Sequence, residues 1–184
     1  ARERDYYRSQ VAELGSRVVE LQDAQIRLRK EVRRSRMTAR LIASAFQMAN
    51  ADLTLDQVGQ RFLRVILETL TVDRAAILSF QPSSRLFVVA HALGFPAGQW
   101  RPVACHGDPP AFFCLRGHAA SDRFEVRLQQ ALGAPCLLWN YDAKSATALV
   151  LGNVVEDRHL HPPFEEADRE IVDGALAVYL DVVA

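Results

Sequence analysis

The sequence predicts an α+β fold in which an antiparallel sheet is flanked by helices and preceded by one long helix. Three observations support this prediction: a proline-free apolar heptad repeat up to about residue 50, two pairs of short apolar runs typical of β-hairpins, and an amphipathic helical pattern on either side of those hairpins. We therefore divide the chain into a coiled-coil segment, residues 1–50, and a globular segment, residues 51–184.

The composition is that of a soluble globular protein with an uneven charge distribution. The 184 residues include 22 basic and 22 acidic side chains, and 49% of them are apolar. Residues 1–50 hold 11 basic against 6 acidic side chains, so the remainder is acidic. No apolar run is long enough to span a membrane, and three cysteines do not make a disulfide scaffold. No leader follows Ala1, so we expect a piece of a longer cytoplasmic chain.

The long helix carries apolar residues at alternating steps of three and four, which is the spacing of a coiled coil. With the first valine of the series at position a, β-branched residues fall at a and leucines at d, the pattern that favours two parallel strands. Gln25 lies at an a position, where a polar residue can fix the register of the two helices. We call these a and d positions the seam and predict that it forms a homodimer through Val11, Leu14, Val18, Leu21, Gln25, Leu28, Val32 and Ile42. The alternative is a long helix that folds back on its own domain.

Residues 27–40 of this helix carry seven basic side chains. A DNA-binding fork would place such a segment before the coiled coil and would lack a seam of its own. Here Leu28 and Val32 continue the seam through the basic run. We therefore predict a solvated flank and no nucleic-acid partner.

The globular segment reads as helix, hairpin, loops, hairpin, helix. Asp52 or Thr54 can cap the first helix, Gly133 ends a short helix over 122–132, and Pro162 and Pro163 precede the last helix. The strands are predicted at 75–80 and 86–92, at 136–141 and 147–152, and at an edge over 100–104. Adjacent hairpins make an antiparallel sheet, and the two outer helices must cover one of its faces.

The carboxy-terminal stretch ALVLGN at 148–153, followed by PFEEADREIV at 163–172, resembles the closing strand and helix of a GAF domain. The hairpin over 75–94 resembles the first two strands of that family, and the resemblance extends over residues 39–184. Glu165 stands where the family usually has serine or threonine. The resemblance implies a sensory module whose ligand lies between the sheet and variable loops over 95–134. It also implies an output domain such as a histidine kinase, a diguanylate or nucleotide cyclase, or a transcription activator.

The loops and the adjoining strand contain aromatic residues and a few polar groups, which is what a small-molecule pocket needs. The alternative is that these aromatic residues complete a core, which would make the domain a ligandless dimerisation platform. The sequence does not identify a cofactor. The predicted ligand-binding residues are Trp100, Arg101, Cys105, His106, Phe112, Phe113, Trp139 and Tyr141.

The adjacent Cys105 and His106 resemble the pair with which phytochrome-like GAF domains bind a bilin, but the following residues 107–110 do not resemble that subfamily. The spacing of Cys105, His106, Cys114 and His118 does not match structural zinc sites, and His159 and His161 lack a third ligand. We predict no metal site.

A thiol enzyme is the alternative from another class. Free methionine sulfoxide reductase has a GAF fold with loop cysteines, and Cys105, Cys114 and Cys136 could imitate them. The residues around these cysteines do not resemble the motif of that family. No phosphate-binding glycine loop or nucleophile elbow occurs either. We therefore predict that the chain is not an enzyme.

Overall fold

The computed structural model describes residues 2–70, 72–95, 101–115, 123–153, 164 and 168–184. The chain divides into two compact units, Ala1–Arg36 and Met37–Ala184. In order, the elements are α1 (Arg2–Ala49), α2 (Leu55–Leu70), β1 (Arg74–Gln81), β2 (Leu86–Leu93), β3 (Val103–Ala104), β4 (Phe112–Leu115), α3 (Phe124–Leu132), β5 (Cys136–Asp142), β6 (Thr147–Asn153) and α4 (Arg169–Val183).

The six strands form one antiparallel sheet in the order β3-β2-β1-β6-β5-β4. Both predicted hairpins are present, and they meet where β1 pairs with β6 along the middle of the sheet. The α+β class and the antiparallel sheet are therefore confirmed.

Both hairpins turn in the same way. Each has a four-residue turn, and the last turn residue adopts a left-handed backbone: Arg85 has φ 53° and Ala146 has φ 54°. That conformation is costly for a residue with a Cβ atom. At Arg85 the side chain makes hydrogen bonds that offset part of this cost, as described below.

One side of the sheet, which we call the aliphatic side, is covered by helices α2 and α4 and by residues 37–49 of α1. Sheet residues such as Ile77, Leu138 and Leu149 pack there against Phe62 of α2 and Tyr179 of α4. The rings of Phe62 and Tyr179 lie 5.0 Å apart. The prediction that the two outer helices cover one face is confirmed.

Helix α2 begins with a capping box. The Thr54 backbone N–H donates to Gln57 Oε1 at 2.9 Å, and the Gln57 backbone N–H donates to Thr54 Oγ1 at 3.3 Å. These two bonds satisfy backbone donors that have no partner within the helix. Thr54 is thus the cap, one of the two residues that the sequence allowed.

The other side, the aromatic side, is covered by α3. Val103 and Cys105 pack there with Phe124 and Leu128 of α3. Helix α3 ends at Gly133, which has the left-handed φ of 60° that the predicted glycine stop requires. Because side chains along a strand point to alternate sides, the sheet contributes residues to two separate cores, one on each side.

Two details differ from the sequence predictions. Strand β4 (Phe112–Leu115) falls in a stretch that we expected to be loop, and the predicted edge strand over 100–104 is only Val103–Ala104. The described part of the last helix begins at Arg169, whereas the expected start at Glu165 lies outside the described residues. Phe164 is buried in the aliphatic core, as an anchor before that helix should be.

None of the helices in the described ranges combines the length and apolar character needed to cross a bilayer. Within the first unit, the seam residues from Val11 to Val32 are exposed on the single chain. The homodimer predicted from them stays a prediction.

Candidate functional site

The aromatic side of the sheet carries a cluster of six ring side chains in mutual contact. Phe80 and Phe87 are register partners on β1 and β2, and Phe113 and Trp139 are partners on β4 and β5. Alternation brings all four to the same side, because partners across a ladder share a face. The aromatic cluster comprises Phe80, Phe87, Phe113, Phe124, Trp139 and Tyr141.

The rings of the cluster form two sets. Phe113 and Trp139 are nearly parallel, with centroids 5.8 Å apart and planes 11° apart, and Tyr141 lies within 22° of the Trp139 plane. Phe87 meets both Trp139 and Tyr141 edge-on, at 85° and 84°. Both stacked and edge-to-face contacts are favourable geometries for aromatic pairs.

The cluster has a deep layer and an outer layer. Trp139 and Phe87 are completely buried, with 0% of their surface exposed, whereas Phe80, Phe113 and Tyr141 are half-buried. The deep layer is therefore core, and only the outer layer can meet another molecule.

The segment 105–111 is held against the sheet by hydrogen bonds to its backbone. Trp139 Nε1 donates to the Pro110 carbonyl at 2.7 Å. Arg85 Nε donates to the Cys105 carbonyl at 3.1 Å, and Arg85 Nη2 donates to the Gly107 carbonyl at 2.7 Å. Bonds from a charged donor are the stronger kind, so Arg85 fixes this segment to the first hairpin turn.

Arg74 of β1 links the sheet to helix α3. Its Nη1 donates to the Gly133 carbonyl at 2.9 Å and to the Leu132 carbonyl at 3.3 Å, both at the carboxyl end of the helix. A cation at that end also meets the negative pole of the helix dipole. The guanidinium carbon lies 5.4 Å from the centroid of Phe95, so Arg74 joins the sheet, α3 and the residue before segment 96–100.

Two polar groups lie at the edge of the cluster. The Cys105 thiol is buried, and its sulfur lies 3.4 Å from the Gly107 carbonyl, to which it donates. Burial, followed by the charge of Asp142, raises the pKa of the Tyr141 hydroxyl above its ordinary value. Tyr141 therefore stays neutral and can donate a hydrogen bond at physiological pH.

The structure brings only some of the predicted site residues together. Cys105, Phe113, Trp139 and Tyr141 all belong to the aromatic side. Arg101 and His106 are exposed, and Trp100 lies outside the described residues.

Phe112 is the predicted site residue that faces the other way. It packs with the aliphatic core, where the Arg169 guanidinium carbon lies 5.4 Å from its ring centroid. Phe112 and Phe113 are consecutive on β4, so their side chains must point to opposite faces.

None of the three cysteines forms a disulfide, and they are divided between the two sides of the sheet. Cys105 lies on the aromatic side, whereas Cys136 and the half-buried Cys114 pack on the aliphatic side. Within the described ranges, no three histidine, cysteine or acidic side chains come together in a way that could hold a metal ion. His118, His159 and His161 lie outside those ranges.

Sequence reasoning did not include Phe80, Phe87 and Phe124 in the site. The pairing of the first two was not given by the predicted turn at 81–84, which would place residue 80 opposite residue 85. The turn lies at 82–85, and it makes residues 80 and 87 partners. Phe124 was not detectable, since its position depends on how α3 crosses the sheet.

Comparison of the sequence with protein-family models and with curated proteins finds no significant match. The fold, however, is similar to solved GAF domains. One belongs to a protein assigned as a sensor histidine kinase from Pseudomonas syringae pv. tomato (14% identity, 85% of this chain and 88% of that chain, TM-score 0.55). Another is the GAF domain of an Acinetobacter phosphoenolpyruvate-protein phosphotransferase (12% identity, 82% and 92%, TM-score 0.57).

Residues 122 to 287 of a methyl-accepting chemotaxis protein are similar as well (13% identity, 78% of this chain and 98% of that chain, TM-score 0.53). Identities this low show the fold alone. The chain therefore has a GAF-like α+β fold.

Proposed function

We propose that this chain is a dimeric regulatory module of a signal-transduction protein. It senses a small molecule or a partner on the aromatic side of the sheet and passes the change to an output domain through paired helices. The observation that carries the proposal is the outer aromatic layer, Phe80, Phe113 and Tyr141, half-buried beside a segment that Arg85 and Trp139 hold in place.

The fold supports this proposal because it separates sensing from transmission. Residues 37–49 of α1 and helix α4 pack on the aliphatic side, whereas the segment 105–111 is held on the aromatic side. The similar structures include the GAF domain of a protein assigned as a sensor histidine kinase and residues 122 to 287 of a methyl-accepting chemotaxis protein.

The mechanism is a shift between two arrangements of the domain. A ligand that binds one arrangement more tightly increases its population, and only that difference in affinity can drive the change. The sheet lies between the segment 105–111 and the helices α2 and α4, so a change in one core alters the packing of the other. Small shifts of packed helices are a common means of transmission.

A second candidate function is a ligandless dimerisation platform. The complete burial of Trp139 and Phe87 favours it, because side chains of the domain already fill the deep part of the aromatic side. In that case the module would set the spacing of two output domains without sensing a small molecule.

The arrangement of the cysteines argues against a reductase. A thiol cycle needs a second cysteine that the reactive one can reach. The sheet separates Cys105 from Cys114 and Cys136, so the buried Cys105 lacks such a partner among the three.

Native mass spectrometry of the freshly purified protein tests the proposal. A dimer with extra mass that is lost on denaturation would support a reversible small-molecule sensor. A bare dimer would favour the platform, and a bare monomer would contradict both. Extra mass that survives denaturation would indicate a covalent adduct at a cysteine and would support the bilin alternative instead.

Phe113→Ala and Phe112→Ala locate the site of any bound mass. The two residues are neighbours on β4 and are both half-buried, but they face opposite sides. We expect Phe113→Ala to release the bound mass and Phe112→Ala to retain it. Release by both variants or by neither would exclude the aromatic side as the binding site.

A further inference from the structure

Two of the three cysteines lie on neighbouring strands and face the same side of the sheet. Cys114 of β4 and Cys136 of β5 both pack with the aliphatic core, and neither forms a disulfide. Spacing along the chain gives no sign of this pair, because the pairing of β4 with β5 creates it. The function proposed above uses neither thiol.

The register of β4 and β5 fixes how the two cysteines are related. Cys114 is the partner of Leu138, so Cys136 is its diagonal neighbour, two residues away along β5. The Tyr141 backbone N–H donates to the Ala111 carbonyl at 2.8 Å, which marks that pair as hydrogen-bonded. Because the two kinds of pair alternate along an antiparallel ladder, Cys114 and Leu138 form a non-hydrogen-bonded pair, the kind in which side chains lie closer together.

This diagonal relation suits a bridging metal ion better than a direct sulfur–sulfur bond. Diagonal neighbours have Cα atoms about 7–8 Å apart, whereas a disulfide needs Cα atoms within about 7 Å of each other. Two metal–sulfur bonds of about 2.3 Å each span about 4.6 Å between the sulfur atoms. Two thiols on the same face reach that separation by rotation of their side chains, so the strands can keep their positions.

We propose that Cys114 and Cys136 bind one soft monovalent metal ion, of the class of Cu⁺, in linear coordination between two thiolates. Soft thiolate ligands select such ions, whereas structural Zn²⁺ sites use four protein ligands. Within the ranges that the structure describes, no third histidine, cysteine or acidic side chain joins this pair to make a larger ligand set. Two ligands are sufficient for linear coordination.

Binding exchanges two S–H bonds for two metal–sulfur bonds and transfers no electrons. The two thiols release one proton each, so the ion and its thiolates together carry one net negative charge. Arg169 supplies a cation on this side of β4, with its guanidinium carbon 5.4 Å from the ring centroid of Phe112. Phe112 lies two residues before Cys114 and shares its face. A nearby cation favours the thiolate form.

The site differs from the aromatic side in place and in access. Cys114 is half-buried on the edge strand β4, so the ion enters there, and the buried Cys136 completes the coordination. Helix α4 packs in the same core, so a bound ion acts on the helices without a ligand on the aromatic side. The inference therefore stands or falls separately from the proposed function.

An anaerobic titration of the reduced full chain with Cu⁺, against bicinchoninate as a competing chelator, tests the inference. We expect one ion per chain and the release of two protons per ion. Cys114→Ser and Cys136→Ser should each weaken the affinity at least about hundredfold, and Cys105→Ser, the control on the aromatic side, should change it less than about twofold. Because a polar group at the buried Cys136 costs stability, Cys136→Ala is the second variant at that position.

X-ray absorption of the loaded, unmodified protein gives a measurement that does not depend on variants. Two sulfur ligands in linear arrangement would support the inference, and three or more ligands would overturn it. Equal losses of affinity in Cys105→Ser and Cys114→Ser, or three bound ions per chain, would also overturn it, because any thiol would then bind. A disulfide between Cys114 and Cys136 in place of a bound ion would show a redox pair and would contradict the metal site.

Discussion

The two sides of the sheet are built on different plans, although the same strands supply both. On the aliphatic side, many aliphatic side chains from α1, α2 and α4 meet the sheet, and the helices are long. On the aromatic side, one short helix and the segment 105–111 meet a few large rings. The first plan spreads packing energy over many small contributions, whereas the second concentrates it in a few residues that also hold a loop.

The largest expected effect is on the aromatic side. Trp139→Ala removes a fully buried ring that contacts four other aromatic residues and bonds the Pro110 carbonyl. We expect a loss of about 4 kcal/mol in the free energy of unfolding. The neighbouring Leu138→Ala, on the aliphatic side, should cost less, about 3 kcal/mol. Urea unfolding measures both, and a larger loss for Leu138→Ala would break the comparison.

The next effect is on the aliphatic side, where α2 approaches β2 at Gly59. A Cβ atom at this position would overlap the His91 imidazole. We expect Gly59→Ala to destabilise the protein by about 1–3 kcal/mol, because the helix or the ring must shift. The double variant with His91→Ala should lose less stability than the sum of the losses in the two single variants. Strict additivity in urea unfolding would show that the overlap is not the cause.

The two sides should also respond alike to alkaline pH. Burial raises the pKa of Tyr179 on the aliphatic side, and burial is the first cause at Tyr141 on the aromatic side. A raised pKa favours the protonated folded state. The stabilisation is therefore complete below the unfolded pKa of about 10 and is lost as the pH rises through the folded value.

We expect Tyr179→Phe and Tyr141→Phe each to reduce the fall in the urea midpoint between about pH 8 and pH 11. Asp142→Asn should reduce it through Tyr141 alone, because the charge of Asp142 also raises that pKa. An unchanged profile in the two tyrosine variants would contradict the assignment.

The smallest effect distinguishes the inner and outer faces of the covering helices. Gly174 lies on the exposed face of α4, and among the described residues no atom beyond its chain neighbours and the local helix backbone lies within 4 Å of the position where its Cβ would be. Alanine there should stabilise the protein by about 0.5–1 kcal/mol, since glycine weakens a helix interior. A thermal melt measures the change, and Gly174→Ser is a control that should stabilise less.

The sequence was sufficient to predict what depends on short-range patterns. The hairpin over 75–92 follows from two apolar runs around a turn, a cap at Asp52 or Thr54 follows from residue type, and the Gly133 stop follows from glycine chemistry. Each depends on residues only a few positions apart, so tertiary contacts had little opportunity to override it.

What could not be predicted is which face of the sheet or of a helix a residue occupies. That choice depends on pairing with residues that are distant in the sequence. Phe112 and Phe113 differ by one position, and only the pairing of β4 with β5 determines which of them meets Trp139. Leu41 and Met48 were hidden by a stronger pattern, because the seam dominates the periodicity of α1. Their burial requires the position of the sheet, which local sequence does not contain.

The hydrogen bond from Trp139 to Pro110 also provides an optical signal of the state of the domain. The protein contains two tryptophans, so Trp100→Phe would leave Trp139 as the sole indole fluorophore. Its ring is fully shielded from water and its N–H is bonded to the segment 105–111. Emission from this residue should therefore lie at short wavelength and shift to the red whenever that segment leaves the sheet. The contact between the segment and the sheet can thus be followed without an added label.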